Sequence, residues 1–274
     1  MLKQEALITG VSNLYSPAVV TVKGTKRMWM GGWLSDQELG TDRIYYSDFQ
    51  NGAWTAPTPS FQKIGFHVND PSIIIPPISD GIDSDTLLYM YYTMARPDRP
   101  LENVVGFASS TDGGISWIDH GIVIDYDNGL NNCGAWSPSA LVNGNEIWIY
   151  YHGNGACFTS KFLTRMKLNG LERISTEKIQ VHDLAVNVDV AKQGGEYVMV
   201  ANHPDESFVY RYESADGINW GKQPVEILIN PTPNSITTPH LEIIDANTYN
   251  VYFGFSTSGN KHHTSVHEWE YKVQ

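Results

Sequence analysis

A carboxylate beside a proline is the clearest candidate for chemistry in this sequence. Asp70 lies in segment 66–75, where Asn69-Asp70-Pro71 leads into the apolar run that begins at Ser72. Proline lacks an amide proton and keeps the residue before it extended, so Asp70 is predicted to lie at the mouth of a buried strand.

Related motifs recur along the chain and open repeats of about 45 residues, a length typical of propeller blades. The other four copies are Tyr15-Ser16-Pro17-Ala18, Trp136-Ser137-Pro138-Ser139, Val186-Asn187-Val188-Asp189 and Thr237-Thr238-Pro239-His240. Short β-branched runs and Gly, Asn and Asp turns follow each copy, and no helical periodicity competes with them. Five repeats of one strand-opening motif favour a propeller over a sandwich or jelly roll.

The predicted fold is therefore an all-β, five-bladed β-propeller in which residues 1–274 form a single domain. Each blade is expected to hold three or four antiparallel strands. The predicted blades span residues 15–57, 67–124, 135–179, 186–228 and 236–273. The residues before Tyr15 are expected to form a strand that completes the last blade and closes the ring.

Two turns carry the Asp-box pattern, in which Ser and Asp precede Gly and Trp. They are 110–117, with Asp112, and the shorter 214–220, with Asp216. The Asp is expected to accept backbone N–H bonds while Gly supplies a positive φ. We predict a structural role for both turns.

The innermost strands of a propeller begin at one end of the central channel, so the five motifs should converge on one pocket. The side chains that this places together are Tyr15, Ser16, Asn69, Asp70, Trp136, Ser137, Asn187, Asp189, Thr237, Thr238 and His240. Among them, sugar stacking is expected of Tyr15 and Trp136, joined by Trp33 and Phe66 at neighbouring strand ends. His67, Asn69, Ser137 and Asn187 complete the predicted substrate-binding set.

Three motifs resemble those of the family-43 glycoside hydrolases and their β-fructosidase relatives. They are Asp-Pro-Ser-Ile-Ile at 70–74, Trp-Ser-Pro-Ser at 136–139 and Glu-Ile-Trp-Ile-Tyr-Tyr at 146–151. The resemblance implies that Asp70 is the general base or nucleophile. It also places a second, pKa-tuning carboxylate at Asn187 or Asp189, and it implies that repeat one takes the place of the family's last blade.

The expected general acid is where the sequence departs from the family. Thr237-Thr238-Pro239-His240 stands in place of Glu-Gly-Pro-His, and a threonine hydroxyl cannot protonate a leaving group near neutral pH. Glycoside hydrolysis normally needs two carboxyl groups on either side of the bond. Asp189, Glu242 and His240 are the remaining candidates for the acid, and an active enzyme would be inverting if the two carboxyl groups are well separated.

The charge of the chain limits its partners. Eighteen Lys and Arg against 30 Asp and Glu give a net charge of −12, which disfavours nucleic acid and anionic membranes. A neutral carbohydrate fits better, and we expect a monomer. No apolar stretch approaches the roughly 20 residues of a membrane span, and the first residues lack the pattern of a signal peptide.

Cysteine and histidine give weaker signals. Cys133 and Cys157 flank one predicted hairpin, where a disulfide and two buried thiols are both open. His263 and His267 would share one face of a strand, as metal ligands must, but we expect no metal there. No cofactor is predicted, although a calcium ion in the channel near His240 stays open.

Four functions follow from these observations. The first is a glycoside hydrolase acting on an oligo- or polysaccharide, and the alternative is a propeller that binds carbohydrate without cleaving it. Replacement of the expected Asp and Glu by Ser16, Ser137, Asn187 and Thr237 supports the alternative. A sialidase-like enzyme would need clustered arginines that the motifs lack. A purely structural interaction propeller stays open, because fold does not fix function. Three loops, 35–41, 78–85 and 153–160, are predicted to determine which substrate fits the site.

Overall fold

The computed structural model describes residues 4–35, 42–77, 86–96, 99–125, 134–153, 160–181, 185–221, 223–229, 235–256 and 262–273. These ranges contain 22 β-strands and no helix. No helix of membrane-spanning length and apolarity occurs in this part of the chain. Cys133, Cys157 and most residues of the three predicted substrate loops lie outside the described residues.

The strands are, in chain order, β1 Gln4–Thr9, β2 Asn13–Val22, β3 Thr25–Trp33, β4 Arg43–Gln50, β5 Ala53–Trp54, β6 Thr58–Phe61, β7 His67–Ile74, β8 Leu88–Arg96, β9 Arg99–Ser110, β10 Ile118–Ile124, β11 Trp136–Asn143, β12 Glu146–His152, β13 Lys161–Lys167, β14 Arg173–Val181, β15 Val186–Gln193, β16 Glu196–Asn202, β17 Phe208–Ser214, β18 Asn219–Trp220, β19 Val225–Ile229, β20 Ile236–Ile243, β21 Thr248–Phe255 and β22 Ser265–Lys272.

These strands form five small sheets, one for each predicted repeat. From the inside outward the sheets are β2-β3-β4 with β5 and β6 both paired to β4, β7-β8-β9-β10, β11-β12-β13-β14-β18, β15-β16-β17-β19 and β20-β21-β22-β1. The innermost strands β2, β7, β11, β15 and β20 contact one another in that order, and β20 contacts β2 again. The prediction of a five-bladed β-propeller is confirmed.

The N-terminal strand closes the ring. β1 pairs antiparallel with β22, so the last blade is built from both ends of the described chain. Ile8 of β1 is buried against Leu14 and Val266, which ties this outer strand to blades one and five. Blade three is larger than predicted, because β18 leaves blade four and pairs in parallel with the end of β14.

Each innermost strand contains its motif instead of starting after it. The prediction that Asp70 is extended at a strand mouth is wrong, because Asp70 lies inside β7 with a φ of +46°. The pairing of β7 with β8 shifts register between Asn69 and Ser72, which marks a β-bulge. At a bulge the amide of the next residue is not needed for the ladder, so Pro71 is tolerated and the strand continues.

The same bulge occurs in all five blades at the same level of the ring. Every innermost strand shifts register against its second strand at the motif. The residues with positive φ there are Ser16 (50°), Asp70 (46°), Ser137 (45°), Asn187 (49°) and Thr238 (45°). These five residues are therefore structurally equivalent, and below we call them the bulge residues.

The hydrophobic core lies between neighbouring blades. One cluster joins Trp29 of blade one to Met90 and Tyr92 of blade two, and the others likewise join residues of adjacent sheets. The Asp-box turn of blade two reinforces this seam, since Gly114 accepts a 2.9 Å hydrogen bond from the Trp29 indole N–H. Asp112 accepts the N–H groups of Ile115 and Ser116 and lies in the turn, away from the channel.

We expect Ile8→Ala to lower the free energy of unfolding by about 2–4 kcal/mol, because it empties a buried site in the strand that closes the ring. Urea denaturation followed by circular dichroism measures this change. Thr9→Ala, an exposed position on the same strand, is the control and should change stability by no more than about 0.5 kcal/mol. Equal effects of the two substitutions would show that β1 does not hold the ring closed.

Candidate functional site

The bulge residues surround a narrow cavity at the centre of the ring. Its described wall consists of Ser16, Pro17, Asp70, Pro71, Ser72, Ser137, Pro138, Asn187, Val188, Asp189, Thr238, Pro239 and His240. The volume open to the centre of a water molecule is about 30 Å³, which is room for about two ordered waters. This cavity suits water or a reacting atom and is too small for a sugar ring.

Asp70 is the one carboxylate among the five bulge residues. Its Oδ1 accepts a short hydrogen bond from the Ser16 hydroxyl, and its Oδ2 accepts bonds from Thr93 (2.9 Å) and Ser137 (3.1 Å). Burial raises the pKa of Asp70 above its ordinary value, although the three hydroxyls oppose the rise. No Lys or Arg neutralises it among these contacts, so the carboxylate keeps the basicity that a general base needs.

A second set of positions, two residues after the bulges, joins the blades. The Ser72 hydroxyl accepts the amide of Ala140 in the next blade at 2.8 Å, and the Ser139 hydroxyl accepts the amide of Val190 at 2.9 Å. Asp189 occupies the same position in blade four and accepts the amide of Leu241 at 2.8 Å. Asp189 therefore belongs to a repeated set of hydrogen bonds that joins neighbouring innermost strands.

His240 is the matching residue of blade five and forms an ion pair with Asp189. Its Nδ1 lies 2.9 Å from Asp189 Oδ2, and its Nε2 lies 3.3 Å from the Val19 carbonyl of blade one. Burial by itself would lower the pKa of His240, but the Asp189 carboxylate outweighs burial and raises it. Both ring nitrogens then donate to fixed acceptors, so the imidazolium has no proton directed at a substrate.

The same pair holds Asp189 ionised. Burial disfavours its carboxylate, but the charge and hydrogen bond of His240 and the bonds from Leu241 and Ser139 lower its pKa. The Glu242 carboxylate is likewise bound by other side chains, because its Oε2 lies 2.7 Å from both Lys26 Nζ and the Tyr252 hydroxyl. Burial would raise the pKa of Glu242, yet these contacts lower it, and Glu242 does not line the central cavity.

A larger pocket opens beside the central cavity, between blades five and one. Its volume is about 330 Å³ and it is lined by Asn13, Tyr15, Trp33, Asp42, Thr237, His262 and His263. Pockets of a few hundred Å³ with an apolar wall and a few fixed polar groups are typical ligand sites. We call this space the mouth pocket. Trp33 was predicted to contact substrate and lies here, its ring 5.3 Å from that of His262.

Tyr15, Asp42 and Asn69 form a hydrogen-bond network between the mouth pocket and Asp70. The Tyr15 hydroxyl donates to Asp42 Oδ2 at 3.0 Å, and the Asn69 amide donates to Tyr15 (2.9 Å) and Asp42 (3.1 Å). Gly31 permits this arrangement, because a Cβ at that position would lie 2.9 Å from Cβ of Asn69. Asp42 Oδ1, Asn69 Oδ1 and His263 Nε2 are buried without a hydrogen-bond partner in the described structure.

The other predicted contact residues lie around this network or apart from it. His67 Nδ1 lies 3.7 Å from Asp42 Oδ2, and the Asp42 carboxylate raises the pKa of His67. Phe66 packs against the core of blades one and two. The Trp136 indole N–H binds His152 Nδ1, and His152 Nε2 lies 3.1 Å from Asn187 Oδ1. Trp136 and Asn187 therefore both contact His152, and this contact joins blade three to blade four.

Sequence reasoning missed Asp42, Thr93, His152, Glu206 and the mouth-pocket role of His263. None of them lies in a strand-opening motif. Asp42 and Glu206 lie in the connections between the second and third strands of their blades, and Thr93 and His152 lie near the ends of the second strands β8 and β12. In a propeller these positions lie at the same end of the channel as the starts of the innermost strands, and that rule could have identified them from the sequence.

The described channel residues do not form a metal site. No group of three or more His, Cys, Asp or Glu side chains with metal-binding geometry exists in the described part of the chain. Both oxygens of Asp70 and of Asp189 already accept hydrogen bonds, and both nitrogens of His240 face acceptors. A calcium ion in the channel near His240 stays a prediction, and no chemical step is derived through one.

Several solved structures with the same fold are glycoside hydrolases. Zg3597, a family 117 glycoside hydrolase of the marine bacterium Zobellia galactanivorans, aligns with a TM-score of 0.71 and 14% identity over 98% of this chain and 90% of that chain. A GH43_1 enzyme of Xanthomonas citri gives 0.69 and 9% over 100% and 91%. The Bacillus subtilis arabinanase Arb43A gives 0.66 and 14% over 98% and 97%.

Sequence comparisons add no assignment, since no protein-family model and no curated protein matches the chain. The resemblance expected from the strand-opening motifs is confirmed for the fold. At 14% identity or less, the solved structures show what this chain is similar to in architecture.

We expect the pKa of His240 to lie above the ordinary 6.5 in wild type and to be lower in Asp189→Asn, because only Glu242 and the Val19 carbonyl then oppose the effect of burial. Histidine ¹H–¹³C NMR measures both values. His267 is an internal control, since burial lowers its pKa to about 4 and Asp189 does not contribute to that shift. The stabilisation from the ion pair should be full below pH 6.5 and disappear as pH rises through the raised pKa. A wild-type His240 that titrates at or below 6.5 would contradict this picture.

Proposed function

We propose that this chain hydrolyses a glycosidic bond in an oligo- or polysaccharide, with Asp70 as the general base. The observation that carries the proposal is the setting of Asp70. Its carboxylate has a raised pKa, faces a cavity sized for water, and is fixed by three hydroxyls. The mouth pocket beside it supplies a larger space with an aromatic wall.

In this reaction Asp70 takes a proton from a water molecule as the water oxygen attacks the anomeric carbon. The left-handed backbone and the bonds from Ser16, Thr93 and Ser137 fix the carboxylate before substrate arrives, which lowers the cost of reaching the reactive geometry. His240 lowers the pKa of Asp189 and keeps its carboxylate ionised, and Asp189 accepts the Leu241 amide of the next innermost strand. Asp189 therefore supports the site structurally and transfers no proton.

A neutral sugar fits the described part of the mouth pocket best. Trp33 and Tyr15 offer ring surfaces, and Asp42, which also lines the pocket, has an Oδ1 without a hydrogen-bond partner that suits a sugar hydroxyl group. No Lys or Arg appears among the described lining residues, so nothing there would pair with an acidic or sulfated sugar. The structurally similar Xanthomonas citri enzyme has been solved with xylotriose and with xylose, and those sugars are suitable first probes.

An inverting reaction agrees best with this assignment. Inverting glycosidases hold their two carboxyl groups about 6.5–9.5 Å apart to leave room for water, while retaining enzymes hold them about 5–5.5 Å apart. Asp70 has water-sized space before it and no second carboxylate among its hydrogen-bond partners. The anomeric configuration of the first product, followed by NMR, tests the assignment.

Asp70→Asn should lower kcat/KM by at least about 100-fold, because it removes the base. Product release from arabino-, xylo-, fructo- and galacto-oligosaccharides measures turnover. Asp245→Asn, in the β20–β21 turn, is the matched control and should retain wild-type activity. Wild-type activity should also fall as pH drops through the raised pKa of Asp70, above the ordinary value of 3.8. Unchanged turnover in Asp70→Asn would remove Asp70 from the mechanism.

The second candidate function is carbohydrate binding without cleavage. Two observations favour it, namely the threonine at position 237 where the family resemblance implies an acidic residue, and the unpartnered polar atoms that a bound sugar would satisfy. This function predicts calorimetric binding of oligosaccharides with no product release from the wild-type chain.

Asp42→Asn should weaken sugar binding by about 10- to 100-fold under either function, because hydrogen bonds to a charged acceptor are worth roughly 1.5–3 kcal/mol. Isothermal titration calorimetry with xylotriose, or with whichever oligosaccharide of the panel binds most tightly, measures the change. Asp245→Asn again serves as the control. Equal affinity in Asp42→Asn and wild type would place the sugar outside the mouth pocket.

A further inference from the structure

A carboxylate that the strand-opening motifs do not reveal lies beside the mouth pocket, next to two of its lining residues. Glu206 lies in the turn between β16 and β17 of blade four and reaches across to blade five. The Thr237 hydroxyl donates to Glu206 Oε1 at 3.3 Å. Thr237 is the position where the family resemblance implies an acidic residue, so a neighbouring blade delivers a carboxyl group to the place where this strand lacks one.

The backbone of this turn is fixed on both sides. The Glu206 carbonyl accepts the Ile236 amide at 2.9 Å, and the Glu206 amide donates to the His203 carbonyl at 2.8 Å. Glu206 has a φ of +57°, an uncommon conformation for this residue type that is often found at functional sites. These contacts hold the carboxyl group against the first residues of β20.

The side chain of Glu206 is available to a ligand. It is 25% exposed, and its Oε2 lies 3.7 Å from the buried Nε2 of His263. Thr237 and His263, the two side chains beside it, both line the mouth pocket. The adjacent Asp205 is different, because Ser207 and His203 bind its carboxylate and, against the effect of burial, lower its pKa.

Asp70 and Glu206 are connected to different walls of the mouth pocket through their neighbours. Asp70 neighbours Asn69, which joins Tyr15 and Asp42 at one wall, while Glu206 contacts Thr237 and His263 at the other. A glycosidic bond at the inner end of the pocket would therefore lie between a base and a second carboxyl group, as hydrolysis requires.

We propose that Glu206 is the general acid of this site, an inference that rests on the glycoside hydrolase function proposed above. The Glu206 carboxyl proton passes to the glycosidic oxygen as the bond from that oxygen to the anomeric carbon breaks. Water supplies the new oxygen on that carbon, and Asp70 receives its proton. Proton exchange with solvent then restores both carboxyl groups, so the net reaction consumes one water and yields two hydroxyl products.

The test compares leaving groups that need an acid with leaving groups that do not. Wild type, Glu206→Gln and Glu206→Ala are assayed on phenyl and 2,4-dinitrophenyl glycosides of L-arabinofuranose and D-xylose. Glu206→Gln should lose at least about 100-fold in kcat/KM on the phenyl glycoside and less than about 10-fold on the dinitrophenyl glycoside. Glu196→Gln, an exposed carboxylate at the far end of β16, is the matched control and should match wild type on both.

Two further readouts separate an acid from a structural residue. The proposal predicts that wild type loses activity at high pH and that Glu206→Gln does not, because this part of the pH profile reports deprotonation of the acid. Added formate should restore activity of Glu206→Ala on the phenyl glycoside, since a small carboxylic acid can occupy the vacated space. Thermal unfolding of each variant identifies any loss that comes from misfolding.

The outcomes distinguish this inference from the function on which it rests. Turnover by wild type with equal loss on both leaving groups, or with no loss in Glu206→Gln, would overturn the role of Glu206 and leave hydrolysis intact. Oligosaccharide binding without wild-type turnover of any glycoside would reject hydrolysis and the acid together, in favour of a binding propeller.

Discussion

The left-handed bulge in each innermost strand is the constraint on which the rest of the structure depends. A positive φ costs a residue with a Cβ roughly 1–3 kcal/mol, so five such residues persist only because the closed ring fixes them. The bulge rotates one side chain of each strand toward the axis and interrupts the ladder, and in four of the five strands a proline follows at that point. The same local geometry thus closes the ring and builds the wall of the central cavity.

The two residue positions created by each bulge have different physical roles. The bulge residue itself points into the cavity, and only Asp70 provides a carboxylate there among the five equivalents. The position two residues later hydrogen-bonds to the next innermost strand, as Ser72, Ser139, Asp189 and His240 do. This difference explains why burial leaves Asp70 with a raised pKa while Asp189, bound to His240, has a lowered one.

The mouth pocket exists because residues from different blades meet at the seam between blade five and blade one. Gly254 allows this close approach, since a Cβ there would lie 2.9 Å from Cβ of Tyr15. The seam is also where the chain ends meet, with β1 paired to β22. A pocket at this seam combines Tyr15 and Asp42 of blade one with Thr237 and His263 of blade five, so its shape depends on closure of the ring.

The sequence by itself determined the fold class, the five repeats, the closing strand and the place of Asp70 on the channel, because strand periodicity and turn residues are local signals. It misplaced the start of the innermost strands, since a proline that would end a ladder is accommodated at a bulge. Tertiary structure alone decided that His240 and Glu242 are held by Asp189 and Lys26, and that Glu206 of a different blade lies beside Thr237. Contacts between blades set these arrangements, and residue spacing along one strand carries no information about them.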